Sequence, residues 1–349
     1  MTEKIIKTNH GPSPLTAEEL TELFYNAPSE ELSAMGKNVC TEVHGKDVLL
    51  RGLLEYTNYC VSNCLYCGIR RDNPNVHRYR IEEAMLLEAV QAGFDRGLRS
   101  FVIQGGEDPS YPIERVCGLI EAIKIQTRGE AAVTLSCGMR SREEYRAMAQ
   151  AGASRYLLRF ETSDPELHAY LRDGKTLKDR LQALEDIRAA GFQTGSGFML
   201  GLPGETEKTR LENILLCQKL ELDMVGIGPF IPHPETPLKN VEQQPIEDSI
   251  RGVALLRLAL PESHIPATTA AGTLQPDGRE KMIDAGANVL MPNITQTDFK
   301  KDYLLYPGKI CLDESGIQCI GCLSSRLAPL DRVLSFDKGD APRIARMRK

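Results

Sequence analysis

A chain of 349 residues, 42% hydrophobic and 26% charged, has the make-up of a folded globular protein with material for a large core, which excludes disorder and collagen-like structure. Its 42 Lys and Arg against 48 Asp and Glu leave a formal net charge of -6, so no global basic field points to nucleic acid or to an anionic membrane. The longest apolar stretches, such as 253–260 with Arg257 inside it, fall short of the roughly 20 residues a membrane helix needs. Residues 1–11 lack the apolar run of a secretory signal, so a cytoplasmic location is expected, where the ten cysteines stay reduced unless they hold metal.

Residues 17–42 read as helical and are expected to cap the bottom of the fold built by the later segments. Runs rich in β-branched or aliphatic residues then recur at 48–56, 100–105, 132–136, 155–161, 193–200, 224–230, 265–269 and 287–291. Between them, helical spacing covers 81–96, 113–125, 141–151, 177–190, 206–220, 246–260 and 276–285, many of these segments opening on Ser, Thr or Asp and closing on Gly. This alternation predicts parallel strands with helical crossovers. Eight such units predict an α/β fold, a complete (β/α)8 TIM barrel, with an open doubly wound sheet as runner-up. The expected organisation is an N-terminal helical cap over 1–45, the barrel over 46–295, and a C-terminal extension over 296–349 folding near the top. Barrel chemistry sits at the C-terminal ends of the strands.

At the end of the first strand run stands Cys60-Val-Ser-Asn-Cys64-Leu-Tyr-Cys67. Three thiolates this close on one loop can grip a metal centre, and three protein ligands on a [4Fe-4S] cube leave its fourth iron open to an outside ligand. Structural zinc wants four ligands, and the nearest histidine, His77, has no helpful spacing; a zinc site or unrelated buried cysteines remain the plain alternatives.

This triplet, with Tyr66 immediately before its third cysteine, resembles the signature of the radical S-adenosylmethionine (SAM) superfamily. The resemblance implies that the amino and carboxylate groups of SAM chelate the open iron, and that one electron cleaves the sulfonium to methionine and a 5'-deoxyadenosyl radical. Gly105-Gly106-Glu107-Asp108 is similar to the superfamily's Gly-Gly-Glu motif, although alone it reads as a βα turn. Arg159 and Glu161 alternate at the end of the fourth run, so both are expected to point into the barrel mouth. A charged pair there is neutralised or used, and a structural salt bridge is the plain alternative. By resemblance Glu161 contacts SAM, Arg180 pairs with its carboxylate, and the segment 195–204 with Met199 meets the adenine. Tyr66, Gly106, Glu107 and Ser136 complete the expected SAM site.

The proline-rich loop 226–237, together with 266–269, Met291-Pro-Asn and the stretch from Leu305 to Cys311, resembles the HydE family of [FeFe]-hydrogenase maturation enzymes over about 51–322. That family's substrate residues, carried over one by one, are Arg51, Gln104, Thr134, Arg159, Met224, Thr268, Thr269, Met291, Tyr303 and Tyr306; Met224 and Met291 read equally as core packing. Two arginines plus hydroxyls suit an anionic ligand, whereas a lysine substrate calls for an acidic partner. The resemblance implies a small iron-carbonyl-cyanide-cysteine substrate delivered by a sister maturase, an electron donor such as ferredoxin or flavodoxin, and a monomer.

In the tail, Cys311, Cys319 and Cys322 match an accessory iron-sulfur site, [2Fe-2S] or [4Fe-4S], of some family members; adventitious iron, zinc or nothing are equal readings. Methylornithine synthase, which rearranges lysine, is the alternative, and biotin synthase is disfavoured because the third and fifth runs carry no further cluster cysteines. A non-catalytic iron-sulfur carrier is the reading from another class. Cys40, Cys117, Cys137 and Cys217 have no partner spacing; Cys117 and Cys217 are expected to be buried in helices and Cys137 to face the mouth.

Overall fold

The computed structural model describes residues 7–8, 11–314 and 316–347. The expectation for the segment 1–11 lies largely outside them. A short hairpin of β1 (Lys7–Thr8) and β2 (Gly11–Pro12) precedes the helices α1 (Ala17–Asn26) and α2 (Ser29–His44). There follow β3 (Asp47–Leu50), β4 (Gly52–Thr57), α3 (Glu83–Asp95), β5 (Ser100–Gly105), α4 (Ile113–Gln126), β6 (Ala132–Ser136), α5 (Arg142–Gln150) and β7 (Arg155–Leu157). Next come α6 (Pro165–Leu171), α7 (Leu177–Ala189), β8 (Gln193–Leu200), α8 (Glu207–Lys219), β9 (Met224–Pro229) and α9 (Glu247–Ala259). The chain ends in α10 (Thr269–Leu274), α11 (Gly278–Asp284), β10 (Val289–Leu290), α12 (Thr297–Lys300), α13 (Gly316–Leu327), β11 (Val333–Ser335) and α14 (Pro342–Met347).

The predicted α/β alternation is present, and its strands are parallel. Strands β4 to β9 form a six-stranded parallel sheet in sequence order. A second parallel sheet runs β10-β3-β11, and isolated parallel bridges at Leu53–Asn293, Met224–His264 and Pro266–Val289 lie between the two ladders. The continuous eight-strand ladder that the sequence predicts is therefore not what forms. The first run splits at Arg51, whose N–H bonds to Leu290 while the next residues pair with β5. The seventh run is not a strand: the Ile265 N–H goes to the Asn288 side chain, Pro266 has no N–H to give, and Thr268 already precedes a helix. The eighth shrinks to two residues before Pro292.

Helices cover the sheet through residues such as Leu86, Val90, Leu119, Ile123, Leu184, Ile187, Ile214 and Val253, which share one core with the strand residues Phe101, Ile103, Val133, Leu135, Val225 and Ile227. Local chemistry fixes the helix starts: Thr16 and Ser141 make capping boxes with Glu19 and Glu144, and Asp164, Thr176 and Thr206 cap α6, α7 and α8.

Helices α1 and α2 pack on α9, where Gly36 lies so close to Ala254 and the Ala285 carbonyl that a Cβ would overlap the latter. One placement differs from expectation. The extension does not stay near the top. After α13 it returns as β11 alongside β3, and its Asp340 carboxylate reaches the first residues of β7 and β8, 2.7 Å from Arg155 and 2.6 Å from Gln193. Burying Arg155 needs an opposite charge, which a segment from the far end of the chain supplies.

Candidate active site

The cysteine loop leaves the C-terminal end of β4 and is held in place by side chains. Arg78 donates to the carbonyls of Asn58, Ile69 and Arg70 at 2.6–2.8 Å, and Asn58 donates to the carbonyls of His77 and Asp302. Buried Asp108 takes a forked pair of bonds from Arg80 and a third from Thr57. Gly106 is needed here for a reason other than ligand approach: a Cβ on it would overlap the Tyr59 carbonyl and crowd Cys60. On the other side, the Gly68 N–H donates to the Leu305 carbonyl at 3.0 Å, so the extension packs directly on the loop.

Cys60, Cys64 and Cys67 are free thiols on this one loop, Cys64 buried and the others half-buried. The Glu107 N–H donates to Cys60 Sγ at 3.4 Å. Burial pushes the Cys67 thiol up, and the neighbouring Cys64 and Cys60 add to it; Cys64 is raised by burial and by Cys60, with Arg172 pulling the other way. A set of three clustered thiols that disfavour one another's ionisation, in a pocket edged by a guanidinium, is a donor set that a cationic centre satisfies. The residues fit a cluster held by three ligands.

Around the loop stands a network that is only partly legible in the sequence. Glu107 accepts from Ser62 at 2.6 Å and from Lys175 at 3.0 Å, while Ser62 itself accepts from Lys175 at 2.6 Å. Arg172 donates to the Tyr66 phenol at 3.1 Å and lies 3.5 Å from Glu107. Burial alone would raise Glu107, but Ser62, Lys175 and Arg172 together outweigh it and hold its carboxyl at about 2. Because this folded value lies below the ordinary carboxylate value of about 4.3, its stabilisation is complete above that range and is lost as the pH falls toward 2. Glu107→Gln therefore flattens the acid limb of stability, which urea midpoints of the cluster-free chain between about pH 6 and pH 2.5 check; an unchanged limb contradicts the assignment.

Arg159 and Glu161 are brought together at 3.0 Å, yet not as alternate strand residues, since β7 ends at Leu157. Glu161 has φ +70, a left-handed conformation uncommon outside glycine, pinned by its N–H on the Gly197 carbonyl and its carbonyl on the Met199 N–H. The ion pair is poorly aligned: Glu161 Oε2 and Arg159 Nη2 are buried without a hydrogen bond, as are Arg172 Nε and Nη2 and Arg180 Nε. Buried donors and an acceptor left open beside the thiols suit a zwitterionic ligand such as the methionyl end of SAM. Arg180 is buried, and burial together with Arg172 pulls it below the usual guanidinium range. Met199 joins Leu167, Leu171, Leu202 and Phe230 in a small apolar cluster against Leu65 and Tyr66. Ser136 closes β6, half-buried, opposite Gln104.

The expected substrate residues divide into an upper and a deep group. Gln104 Nε2 is 3.4 Å from the buried Tyr303 hydroxyl, Thr134 Oγ1 is buried without a hydrogen bond, and Thr268 and Thr269 stand at the start of α10 with Tyr306 half-buried near Thr273. Met291 follows β10, half-buried. Arg51 is not at the mouth. It precedes β4, six residues below Thr57, donates to Met224 Sδ at 3.0 Å and reaches the Gly339 carbonyl, in the same deep layer as Arg155.

Arg172 and Lys175 beside the cysteine loop, and the buried pair of Glu55 and Lys309, are polar groups that the sequence does not single out. Glu55, almost fully buried, takes 2.6 Å from Lys309 Nζ and 2.8 Å from Asn293 Nδ2. A Glu in an otherwise apolar strand was the available signal for this pair. Cys137 does not face the mouth: it is buried against Tyr56, Tyr111, Val116 and Leu119, 3.1 Å from the Tyr156 hydroxyl. Cys217 is fully buried as expected, but Cys117 is only half-buried on α4. In the tail, Cys311 and Cys319 come together with Glu314, whereas Cys322 is exposed.

Residues 54–217 match the model of the Radical SAM superfamily. The chain is 42% identical over 316 residues, covering 90% of each sequence, to the [FeFe] hydrogenase maturase subunit HydE of Thermotoga maritima. It is 26% identical over 275 residues, 78% of this chain and 74% of the relative, to 3-methylornithine synthase of Methanosarcina acetivorans. The crystal structure of methylornithine synthase (PylB) superposes with a TM-score of 0.78 over 93% of this chain and 95% of that one at 22% identity, a likeness of fold. With cysteine loop, open carboxylate and guanidinium donors in place and identity of this extent, the chain belongs to the HydE family of radical SAM [FeFe]-hydrogenase maturases.

Proposed function

We propose that this enzyme acts in [FeFe]-hydrogenase maturation on a small anionic substrate, an iron-carbonyl-cyanide-cysteine complex from a sister maturase, enclosed among Arg51, Gln104, Thr134, Arg159, Met224, Thr268, Thr269, Met291, Tyr303 and Tyr306. The observation that carries this reading over a lysine mutase is the fate of Glu55. This buried carboxylate is already paired at 2.6 Å with the chain's own Lys309, so it is not available to a substrate ammonium. Asp340 is likewise matched by Arg155, and Glu161, whose Oε2 stays open beside Arg159, is assigned to the SAM site and not to the substrate cavity.

When bound, a [4Fe-4S] cluster on Cys60, Cys64 and Cys67 with SAM at its open iron supplies the reductive cleavage of SAM. The chain's own residues do the rest. Glu161 and Glu107 present acceptors to an ammonium, Arg172 and Arg180 present donors to a carboxylate, and Tyr66 with Met199 gives an apolar face for the adenine. Ser136 and Gly106 complete that site. Tyr303, Lys309 and the Gly68–Leu305 contact bring the extension over the interior and keep water from it. The two ladders with their bridges are taken as one (β/α)8 barrel, 46–295, flanked by the cap 1–45 and the extension 296–349. Among the described residues no helix is long and apolar enough to cross a membrane, and a cytoplasmic monomer served by ferredoxin or flavodoxin is the accompanying expectation. In the tail, Cys311, Cys319 and Cys322, the last of them exposed, are the expected ligands of a second iron-sulfur cluster, [2Fe-2S] or [4Fe-4S].

The test is spectroscopic and chemical. Anaerobically reconstituted protein reduced with dithionite changes its EPR signal on SAM addition and yields 5'-deoxyadenosine; an unchanged signal with no product leaves only a carrier role. Cys319→Ala retains most of that cleavage activity, measured as initial 5'-deoxyadenosine rate within about threefold of the parent, because the tail site is not among the groups at the SAM site; complete loss contradicts this separation.

A further inference from the structure

We propose that Arg78 is a positioning residue for the iron-sulfur centre: its one guanidinium fastens both ends of the cysteine loop and sets an unneutralised positive charge beside Cys60 and Cys67, which favours the reduced centre. The proposal rests on the assignment of the cluster to Cys60, Cys64 and Cys67.

The cysteine loop opens at Asn58, directly after β4, and returns at Ile69 and Arg70; Arg78 spans this neck. Its Nη1 donates to the Asn58 carbonyl at 2.6 Å and to the Ile69 carbonyl at 2.8 Å, and its Nη2 donates to the Arg70 carbonyl at 2.6 Å. The segment that carries Arg78 is anchored independently. The Tyr79 N–H donates to Asn58 Oδ1 at 2.7 Å, the Tyr79 hydroxyl donates to the Glu55 carbonyl, and Arg80 forks onto Asp108. Inside the neck, backbone N–H groups of Cys67, Arg70 and Arg71 donate to the carbonyls of Cys64, Cys67 and Ser62 and fold the loop on itself. Closing the neck removes loop freedom and so holds the three thiols in one arrangement. Two nitrogens of a planar guanidinium reach both sides of the neck at once, whereas an ammonium concentrates its donors at a single point.

Arg78 has carbonyls for partners where its neighbours have carboxylates. Arg80 is matched by Asp108, and Arg172 lies against Glu107. Among the described residues no carboxylate pairs with Arg78; the groups that favour its charge are the thiols of Cys60 and Cys67 and the Tyr59 phenol, against the cost of burial. One-electron reduction adds a negative charge to a centre held by thiolates, and a cation close by raises the potential at which this occurs. Loss of Arg78 therefore acts on the loop and on the ease of reduction, and a lysine in its place keeps only the second effect.

The experiment compares the full-length parent with R78Q and R78K, without SAM. Hydrogen exchange of the cluster-free chains reads the loop, and iron content with an EPR-monitored dithionite titration of the reconstituted proteins reads the centre. In R78Q the expected result is exchange at least about tenfold faster at Cys67, Arg70 and Arg71 with α4 and α5 unchanged, iron per chain at least about twofold lower, and a midpoint potential more negative than the parent's. In R78K the same amides exchange as fast as in R78Q while the loaded molecules keep the parent's potential, a split that loosening of the loop alone does not produce. If R78Q fails to fold or takes up no cluster, R78K carries the test: fast loop exchange at the parent's potential supports the proposal, and parental exchange overturns it. Parental exchange and potential in R78Q, or equal shifts of potential in R78Q and R78K, also overturn it. A parent protein that takes up no cluster overturns the cluster assignment and the proposal together, which separates that failure from the others.

Discussion

Cys64→Ala reduces 5'-deoxyadenosine formation to the level of the dithionite blank, and the purified variant does not retain a SAM-responsive cluster. Cys64 is the buried member of the three thiols, with Arg172 and Tyr66 as its neighbours, so no solvent ligand takes its place easily. Two remaining cysteines cannot hold a cube at three corners. The control is Cys137→Ala, an equally buried thiol bonded to Tyr156 in an apolar cavity away from the loop. That variant loses about 1–2 kcal/mol of stability but keeps its cluster and its cleavage rate. If both variants lose activity together, the cause is destabilisation and not ligand loss.

Lys309→Met destabilises the protein by about 3–5 kcal/mol, because it leaves the Glu55 carboxylate buried with Asn293 as its remaining polar partner. The measurement is the denaturant midpoint of the variant and of the double variant with Glu55→Gln. Removing the orphaned charge recovers a large part of the loss, giving a coupling energy of well over about 1 kcal/mol. Additive effects contradict the pairing. The single variant also frees a carboxylate inside the cavity, where it opposes an anionic substrate, so its turnover falls more than its SAM affinity.

What the sequence made legible was what is local. The cysteine loop was readable because its three ligands fall within eight residues, and most strands because their apolar runs are continuous. Glu55 and Lys309 are separated by 254 positions and Arg155 and Asp340 by 185, so no spacing rule ties them together. Arg172 and Lys175 were missed because the turn between α6 and α7 carries no motif; only the fold brings it over Ser62 and Glu107. Cys137 turns away from the mouth because β6 ends at Ser136 and the chain then enters a turn where Gly138 takes φ +80. The seventh strand failed because a side chain, Asn288, substitutes for the backbone partner that periodicity assumes.

The most direct test of the substrate assignment is a paired incubation of the reconstituted enzyme with SAM and reductant, once with the iron-carbonyl-cyanide-cysteine complex and once with lysine, followed by mass spectrometry. The predicted result is an adenosylated or otherwise SAM-derived conversion of the complex, a product that supports activation of apo-hydrogenase by the sister maturases, and unchanged lysine. Formation of 3-methylornithine from lysine, with the iron complex left untouched, would contradict it.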